Sequence, residues 1–174
     1  MLTRSTLIRS RRHQDVLRNG LRVGLAGGLA EIVVVWLYSA LTGGDAAMIA
    51  RQVASAIGLD GASAMVGVAV HMGLGVALGI GLCAVMQTVA GRAARDGLVF
   101  AFMLGSLAVV WAVNFFVVLP VVHPEFVLLL PYAVTLASKL AFGLAAAVTL
   151  CAVTPPAWER SEYRIGSAGV LDRA

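Results

Sequence analysis

The sequence predicts an all-α membrane protein, an antiparallel bundle of four transmembrane helices with a short amphipathic helix in one loop. Three observations lead to this fold class. Hydrophobic residues make up 60% of the 174 residues and charged residues only 13%, whereas soluble domains are about 45–50% apolar. Four segments approach the roughly 20 apolar residues that cross about 30 Å of hydrocarbon. Arginine is concentrated in the two tails and in the loop between the second and third spans.

Each apolar segment is expected to be a helix, because backbone groups cannot stay unpaired in lipid. The chain divides into a basic tail at 1–22, a four-helix domain at 23–153 and a polar tail at 154–174. The predicted spans cover about Val23–Leu41, Ala64–Met86, Gly97–Leu119 (closed by Pro120) and Val127–Val153.

The first span carries a single acidic residue, Glu31, in an otherwise apolar stretch. At about 100° per residue, Gly24 and Gly28 share one helix face with Glu31. Small residues on a face let a neighbouring helix approach closely. Glu31 is therefore predicted to point into the bundle and away from lipid.

The loop after the first span is predicted to contain a short helix over residues 45–58. Apolar residues recur there at helical spacing, Asp45 is a good N-cap and Gly58 a good C-terminal stop. This helix either lies at the membrane interface as a lid over a cavity, or only covers the end of the bundle.

Spans two and four repeat the pattern of a titratable group among small residues. In span two, His71 belongs to a four-residue ladder with three glycines, Gly67, Gly75 and Gly79. In span four, Lys139 shares a face with Tyr132, Thr135 and Gly143. Span three carries Asn114, whose direction the pattern does not fix.

Ionisable residues inside a span are rare and costly, so those of this chain are expected to have partners. A rise of about 1.5 Å per residue puts Glu31 and Lys139 at similar depth. They are expected to pair across spans one and four, since isolated ions in a low-dielectric interior would neutralise. The predicted buried polar centre consists of Glu31, Lys139, His71, Asn114, Tyr132 and Thr135. The centre either fixes helix register or lines a functional cavity, unless Glu31 is protonated and unpaired.

The distribution of Lys and Arg predicts that both termini face the cytoplasm. The tails and the loop between spans two and three hold eleven of the 13 positive residues, and the opposite loops hold only Arg51. A bacterial inner membrane is the favoured location. The N-terminus also resembles a mitochondrial presequence, so the mitochondrial inner membrane is the alternative. The net charge of +4 reflects this orientation and does not indicate nucleic acid binding.

Catalytic signatures such as GxSxG, HExxH and the P-loop are missing from the sequence, which favours a non-enzymatic protein. No cofactor is predicted. Haem or another metal would need His71 together with His123, the only candidate mate, and Met65 and Met72 near His71 are the feature that suggests copper. A histidine hydrogen-bonded between helices is the simpler interpretation. The expected partners are the lipid bilayer and either a larger membrane complex or further copies of the chain.

Two resemblances add to this interpretation. The segments HMGLGVALG, RDGLVFAFMLGSLAVVW and SKLAFG, within about residues 20–153, resemble motifs of small bacterial four-span inner-membrane families of unknown function. The resemblance implies the four-span architecture, and Lys139 stands where those families often carry histidine. The segment GGLAEIVV resembles the first span of small multidrug resistance transporters. That resemblance implies that Glu31 binds protons and cationic drugs in turn, but the long loop and the nearby Lys139 depart from that family.

Three functions follow as hypotheses. The first is an accessory subunit or small binding module without enzymatic activity. The second is a proton- or ion-coupled transporter of small solutes, with Glu31 as the titrating group and His71 as the relay. The third is an electron-transfer protein that binds haem or a metal.

Overall fold

The computed structural model describes residues 4–89 and 95–153, and within these ranges the chain is helical apart from short connections. The helices are α1 (Arg4–Thr42), α2 (Ala46–Ser55), α3 (Ala64–Val89), α4 (Asp96–Val113), α5 (Leu119–Val122), α6 (Pro124–Val127) and α7 (Tyr132–Val153), and a π-helical segment, Asn114–Val118, joins α4 to α5. Among the described residues, four spans are long and apolar enough to cross a membrane, as an integral membrane protein requires. The predicted all-α fold is confirmed.

The long helices pack in the order α3, α1, α7 and α4. α1 lies between α3 and α7, α4 packs mainly on α7, and α2 packs on α3, whereas α3 and α4 contact each other little. The apolar core draws on all four long helices and consists of Val23, Leu82, Cys83, Met86, Val99, Met103, Leu107, Phe142, Ala146 and Ala147. Because α1 and α7 are central, the two helices that carry Glu31 and Lys139 are direct neighbours.

α1 runs without a break from the basic N-terminal residues through the first span. No glycine or proline interrupts residues 4–19, so from Arg4 onward the segment predicted as a basic tail forms the first turns of α1. The helix stops at Gly43, which adopts a left-handed φ of +71°. The Gly44 N–H then donates to the Ser39 carbonyl at 2.9 Å, which satisfies one of the last carbonyls of the helix.

α2 is the short loop helix that the sequence predicts, and it ends three residues earlier than expected. Asp45 is its N-cap, and its carboxylate accepts the Ala47 N–H at 2.8 Å. After the last turn, the Gly58 N–H donates to Ser55 and the Leu59 N–H donates to Ala54. This pair of bonds is a Schellman motif around Gly58, whose φ is +83°.

The third span does not close at Pro120, and this prediction is wrong. Proline has no N–H to donate, and its ring crowds the carbonyl four residues earlier. The π-helical segment before it relaxes the turn, and the Leu119 N–H donates five residues back to the Asn114 carbonyl. With the backbone bonded in this way, the span continues through Val122.

The fourth span begins at Tyr132, five residues later than the predicted Val127. Pro131 is the reason, since a residue before proline is disfavoured in the α conformation and proline itself is well suited to a helix start. The chain before it forms α6 and a turn. The polar tail predicted at 154–174 lies outside the described residues, as do 1–3 and 90–94.

Candidate functional site

Glycines let α1 and α3 approach until their backbones touch. A Cβ added at Gly24 would lie 2.5 Å from the Gly75 carbonyl oxygen and from the Cα of Val76. A Cβ added at Gly79 would lie 2.5 Å from the Gly20 carbonyl oxygen and the Gly24 nitrogen. We call this contact of Gly20 and Gly24 with Gly75 and Gly79 the glycine seam. His71 lies one helical turn before Gly75 in α3, so the glycine seam places His71 next to α1.

A phenylalanine from α7 fills the space beside the glycine seam. Phe142 is fully buried. Its ring occupies the place of a Gly27 side chain, since a Cβ there would lie 2.5 Å from the ring. The same ring lies 3.5 Å from a Cβ built at Gly75. Phe142 therefore fits α7 against α1 and α3, one helical turn from Lys139.

Glu31 and Lys139 form a buried ion pair between α1 and α7. The Lys139 Nζ lies 2.7 Å from Glu31 Oε1 and 3.0 Å from Oε2, so one ammonium engages both carboxylate oxygens. Glu31 is 4% exposed, and the Lys139 side chain is 15% exposed. The two groups have opposite charge, and such a pairing offsets the cost of burying a carboxylate.

His71 approaches the same carboxylate from α3 without bonding to it. Its Nε2 lies 3.6 Å from Glu31 Oε2, beyond the range of a normal hydrogen bond. This nitrogen is buried and has no hydrogen-bond partner among the described residues. The Gly28 backbone lies beside the same ring. The structure thus brings three of the six predicted residues together, one from each of α1, α3 and α7.

Tyr132 and Thr135 belong to a different contact, between α7 and α4. The Trp111 Nε1–H donates to Thr135 Oγ1 at 3.0 Å, and the Thr135 hydroxyl donates to the Tyr132 carbonyl at 3.0 Å. The Tyr132 ring packs against the rings of Trp111, Phe115 and Phe116, at centroid distances from 5.5 to 6.3 Å. Within the described residues, no hydrogen bond joins this aromatic cluster to Glu31.

Asn114 begins the π-helical segment, where its carbonyl accepts the Leu119 N–H. Its side chain is half-buried. No hydrogen bond within residues 4–89 and 95–153 connects that side chain to the ion pair. The role of Asn114 that the structure shows is that of a backbone hydrogen-bond acceptor, which allows the span to continue beyond Pro120.

The remaining glycines named from the sequence also face neighbouring elements. A Cβ at Gly67 would overlap the Ala50 carbonyl of α2, one at Gly28 would lie 3.1 Å from Met72 Sδ, and one at Gly143 would lie 3.3 Å from the Cα of Leu104. Gly67 therefore seats α2 on α3, and Gly143 seats α4 on α7.

The part of the chain that the structure describes contains no group of three or more His, Cys, Asp and Glu side chains that could hold a metal ion. His123, the proposed mate of His71, lies between α5 and α6 and meets the Phe126 ring edge to face at a centroid distance of 6.3 Å. No contact among the described residues joins the two histidines.

Sequence reasoning missed several residues that build these contacts. Ser138 is 5% exposed beside Lys139 and donates to the Thr135 carbonyl at 2.9 Å. Gly20 extends the glycine spacing of Gly24 and Gly28 by one turn toward the N-terminus, and this spacing was the signal that could have found it. Trp111 offered a second signal, since an indole N–H inside a span needs an acceptor.

Comparisons with protein-family models, with curated protein sequences and with solved structures found no match to this chain. The family resemblances drawn from short motifs therefore remain expectations. The chemistry available to the centre follows from its own groups. It holds one carboxylate, one ammonium and one imidazole at the junction of three helices, with no nucleophile–base pair among them.

Proposed function

We propose that this integral membrane protein is a non-enzymatic accessory subunit or small binding module in which the Glu31–Lys139 pair holds α1 against α7. One observation supports this choice above the others. Both oxygens of a 4% exposed carboxylate lie within 3.0 Å of an ammonium of the same chain. A carboxylate engaged in this way is not available to a substrate cation until the pair opens.

We call the Glu31–Lys139 pair, in this role, the lock between α1 and α7. The membrane environment explains why such a lock is needed. Lipid tails are as apolar as the helices, so burial of apolar surface does not drive two spans together, and polar pairs and close packing do so instead. Removing one partner of a buried pair costs about 3–5 kcal/mol, because the other charge is left uncompensated. The pair thus fixes the register of α1 and α7.

The proposed location is a bacterial inner membrane with both termini in the cytoplasm, and the mitochondrial inner membrane is the alternative. The support is the excess of arginine in the tails and in the loop between α3 and α4. The proposed partners are the bilayer and a larger membrane complex or a second copy of the chain.

The competing proposal is a proton- or ion-coupled carrier that uses Glu31 as its binding group. The two proposals differ in what the pair must do. A lock stays closed and tolerates exchange of its two charges, whereas a carrier must release the carboxylate and needs it on α1.

The test compares single and exchanged variants of the full chain in lipid nanodiscs. Glu31→Gln and Lys139→Met should each lower the free energy of unfolding by about 3–5 kcal/mol. The double variant Glu31→Lys, Lys139→Glu should recover most of that loss. Arg51→Gln is the matched control, because its ion pair with Asp45 is exposed at 47% and 56% and should matter little.

Two results would contradict the proposal. If both single variants unfold like the wild type, the pair does not hold the helices. The second result needs wild-type proteoliposomes that dissipate an imposed pH gradient. If the exchanged variant is as stable as the wild type but no longer dissipates the gradient, the carrier proposal is correct.

A further inference from the structure

The described residues include three buried side-chain polar atoms without a hydrogen-bond partner, and one of them is His71 Nε2. It is buried without a hydrogen-bond partner in the described part of the chain and lies 3.6 Å from Glu31 Oε2. Buried polar groups in native proteins are nearly always hydrogen-bonded, so each exception asks for an explanation. A shift of a few tenths of an ångström would bring this nitrogen into bonding range of the carboxylate.

Neither neutral form of the imidazole suits its surroundings. Nε2 faces the Glu31 carboxylate, and the Gly28 backbone lies beside the ring. A neutral imidazole has one N–H and one lone pair, so one nitrogen always lacks a hydrogen to donate. Only the imidazolium donates from both nitrogens. The geometry is therefore better matched to a ring that can take up a second proton.

The charges around His71 come from two helices. Glu31 faces it from α1 and Lys139 from α7, and these two compensate each other at 2.7 Å. α2 carries Arg51, which is paired with Asp45 at the surface. α4 contacts α3 little, and Asp96 stands at its first residue. A proton on His71 would therefore add a second positive charge that faces the Glu31 carboxylate.

We propose that His71 is a proton-binding site and that its protonated ring competes with Lys139 for Glu31 Oε2. The proton comes from water and binds to the imidazole, while Glu31 and Lys139 keep their own charges. The new Nε2–H donates to Oε2, and Lys139 retains Oε1, the nearer oxygen at 2.7 Å. Protonation thus draws the His71 ring toward Glu31 and weakens the hold of α7. This inference rests on the proposed lock, because it assigns the lock its regulating ligand.

The test is a histidine titration of the full chain in lipid nanodiscs by ring-nitrogen NMR. The chain has three histidines, and His13→Gln and His123→Gln identify the His71 signal. The titration runs from about pH 8 down to 5, and we expect the His71 signal to change as the pH falls. In Glu31→Gln the midpoint should move to lower pH by about one unit, and in Lys139→Met it should move to higher pH. A signal that is constant over this range, or midpoints that are equal in the wild type and Glu31→Gln, would overturn the proposal.

His71→Gln covers the case in which Glu31→Gln does not fold. It leaves the ion pair intact and removes the proton site, so wild-type thermal stability should vary with pH over the same range and that of His71→Gln should not. Persistence of the pH dependence in His71→Gln rejects the site. The two proposals fail separately. If the site is absent but the lock exists, Glu31→Gln still loses stability, and if the lock is absent, Glu31→Gln keeps full stability whatever His71 does.

Discussion

The glycine seam makes a quantitative prediction, because α3 carries glycines on two opposite faces. A Cβ at Gly79 would lie 2.5 Å from two backbone atoms of α1, where ordinary contact is 3.4–4 Å. Backbone cannot rotate away, so in Gly79→Ala the helices must separate by roughly 1 Å. Such overpacking costs about 1–3 kcal/mol, and separation also moves His71 away from Glu31.

Gly81 provides the matched control on the same helix. A Cβ there meets nothing within 4 Å, so Gly81→Ala should gain about 0.5–1 kcal/mol from helix propensity alone. Unfolding of both variants by sodium dodecyl sulphate, followed by circular dichroism, measures the difference. We expect Gly79→Ala to be less stable than Gly81→Ala by about 1–3 kcal/mol, because the gain in helix propensity is the same in both variants and only Gly79→Ala is overpacked. Equal stabilities would show that α1 and α3 are not in backbone contact.

Two further predictions concern the Asp45 cap of α2 and the contact between α4 and α7. The Met48 backbone N–H, followed by the Ala47 N–H and the Arg51 charge, lowers the pKa of Asp45 below its ordinary value of 3.8. The ionised Asp45 cap should therefore stabilise α2 fully above pH 3.8, and the N-terminus of α2 should fray as the pH falls through the lower pKa of the folded state. Amide hydrogen exchange of α2 measures this loss, and Asp45→Ala is the reference that should not respond to pH. Thr135→Val removes the acceptor of the Trp111 indole and should cost about 0.6–1.7 kcal/mol. Combined with Trp111→Phe it should cost less than the two losses added, and strict additivity in this double-mutant cycle would show that the bond contributes nothing.

Much of the fold could be predicted from the sequence because the membrane imposes simple rules. Apolar length fixed the number of spans, and the Asp45 and Gly58 signals located α2. Two errors in the span bounds fell at Pro120 and Pro131. A proline marks a change in backbone hydrogen bonding, but the sequence does not state whether a π-helical turn absorbs it or the helix restarts beyond it.

The candidate site was predictable to a smaller degree. Opposite charges at similar depth point to contact between Glu31 and Lys139, whose atoms lie 2.7 Å apart, because the alternatives for a membrane carboxylate are few. Thr135 shares a helix face with Lys139 but bonds to Trp111. A helix face is wide enough to meet two neighbours, and the order α3, α1, α7, α4 decides which neighbour each side chain meets. A single sequence does not specify the order in which the helices pack.

The same packing order determines which helix displacements leave the Glu31–Lys139 pair intact. α1 is held on one side by backbone contact at the glycine seam and on the other by the Glu31–Lys139 pair. α4 is attached mainly through α7, by the Trp111–Thr135 bond and by packing at Gly143. A displacement of α4 therefore leaves the ion pair intact, whereas a displacement of α7 breaks the pair and carries α4 with it. α7 is for this reason the helix through which a change at His71 would reach the rest of the bundle.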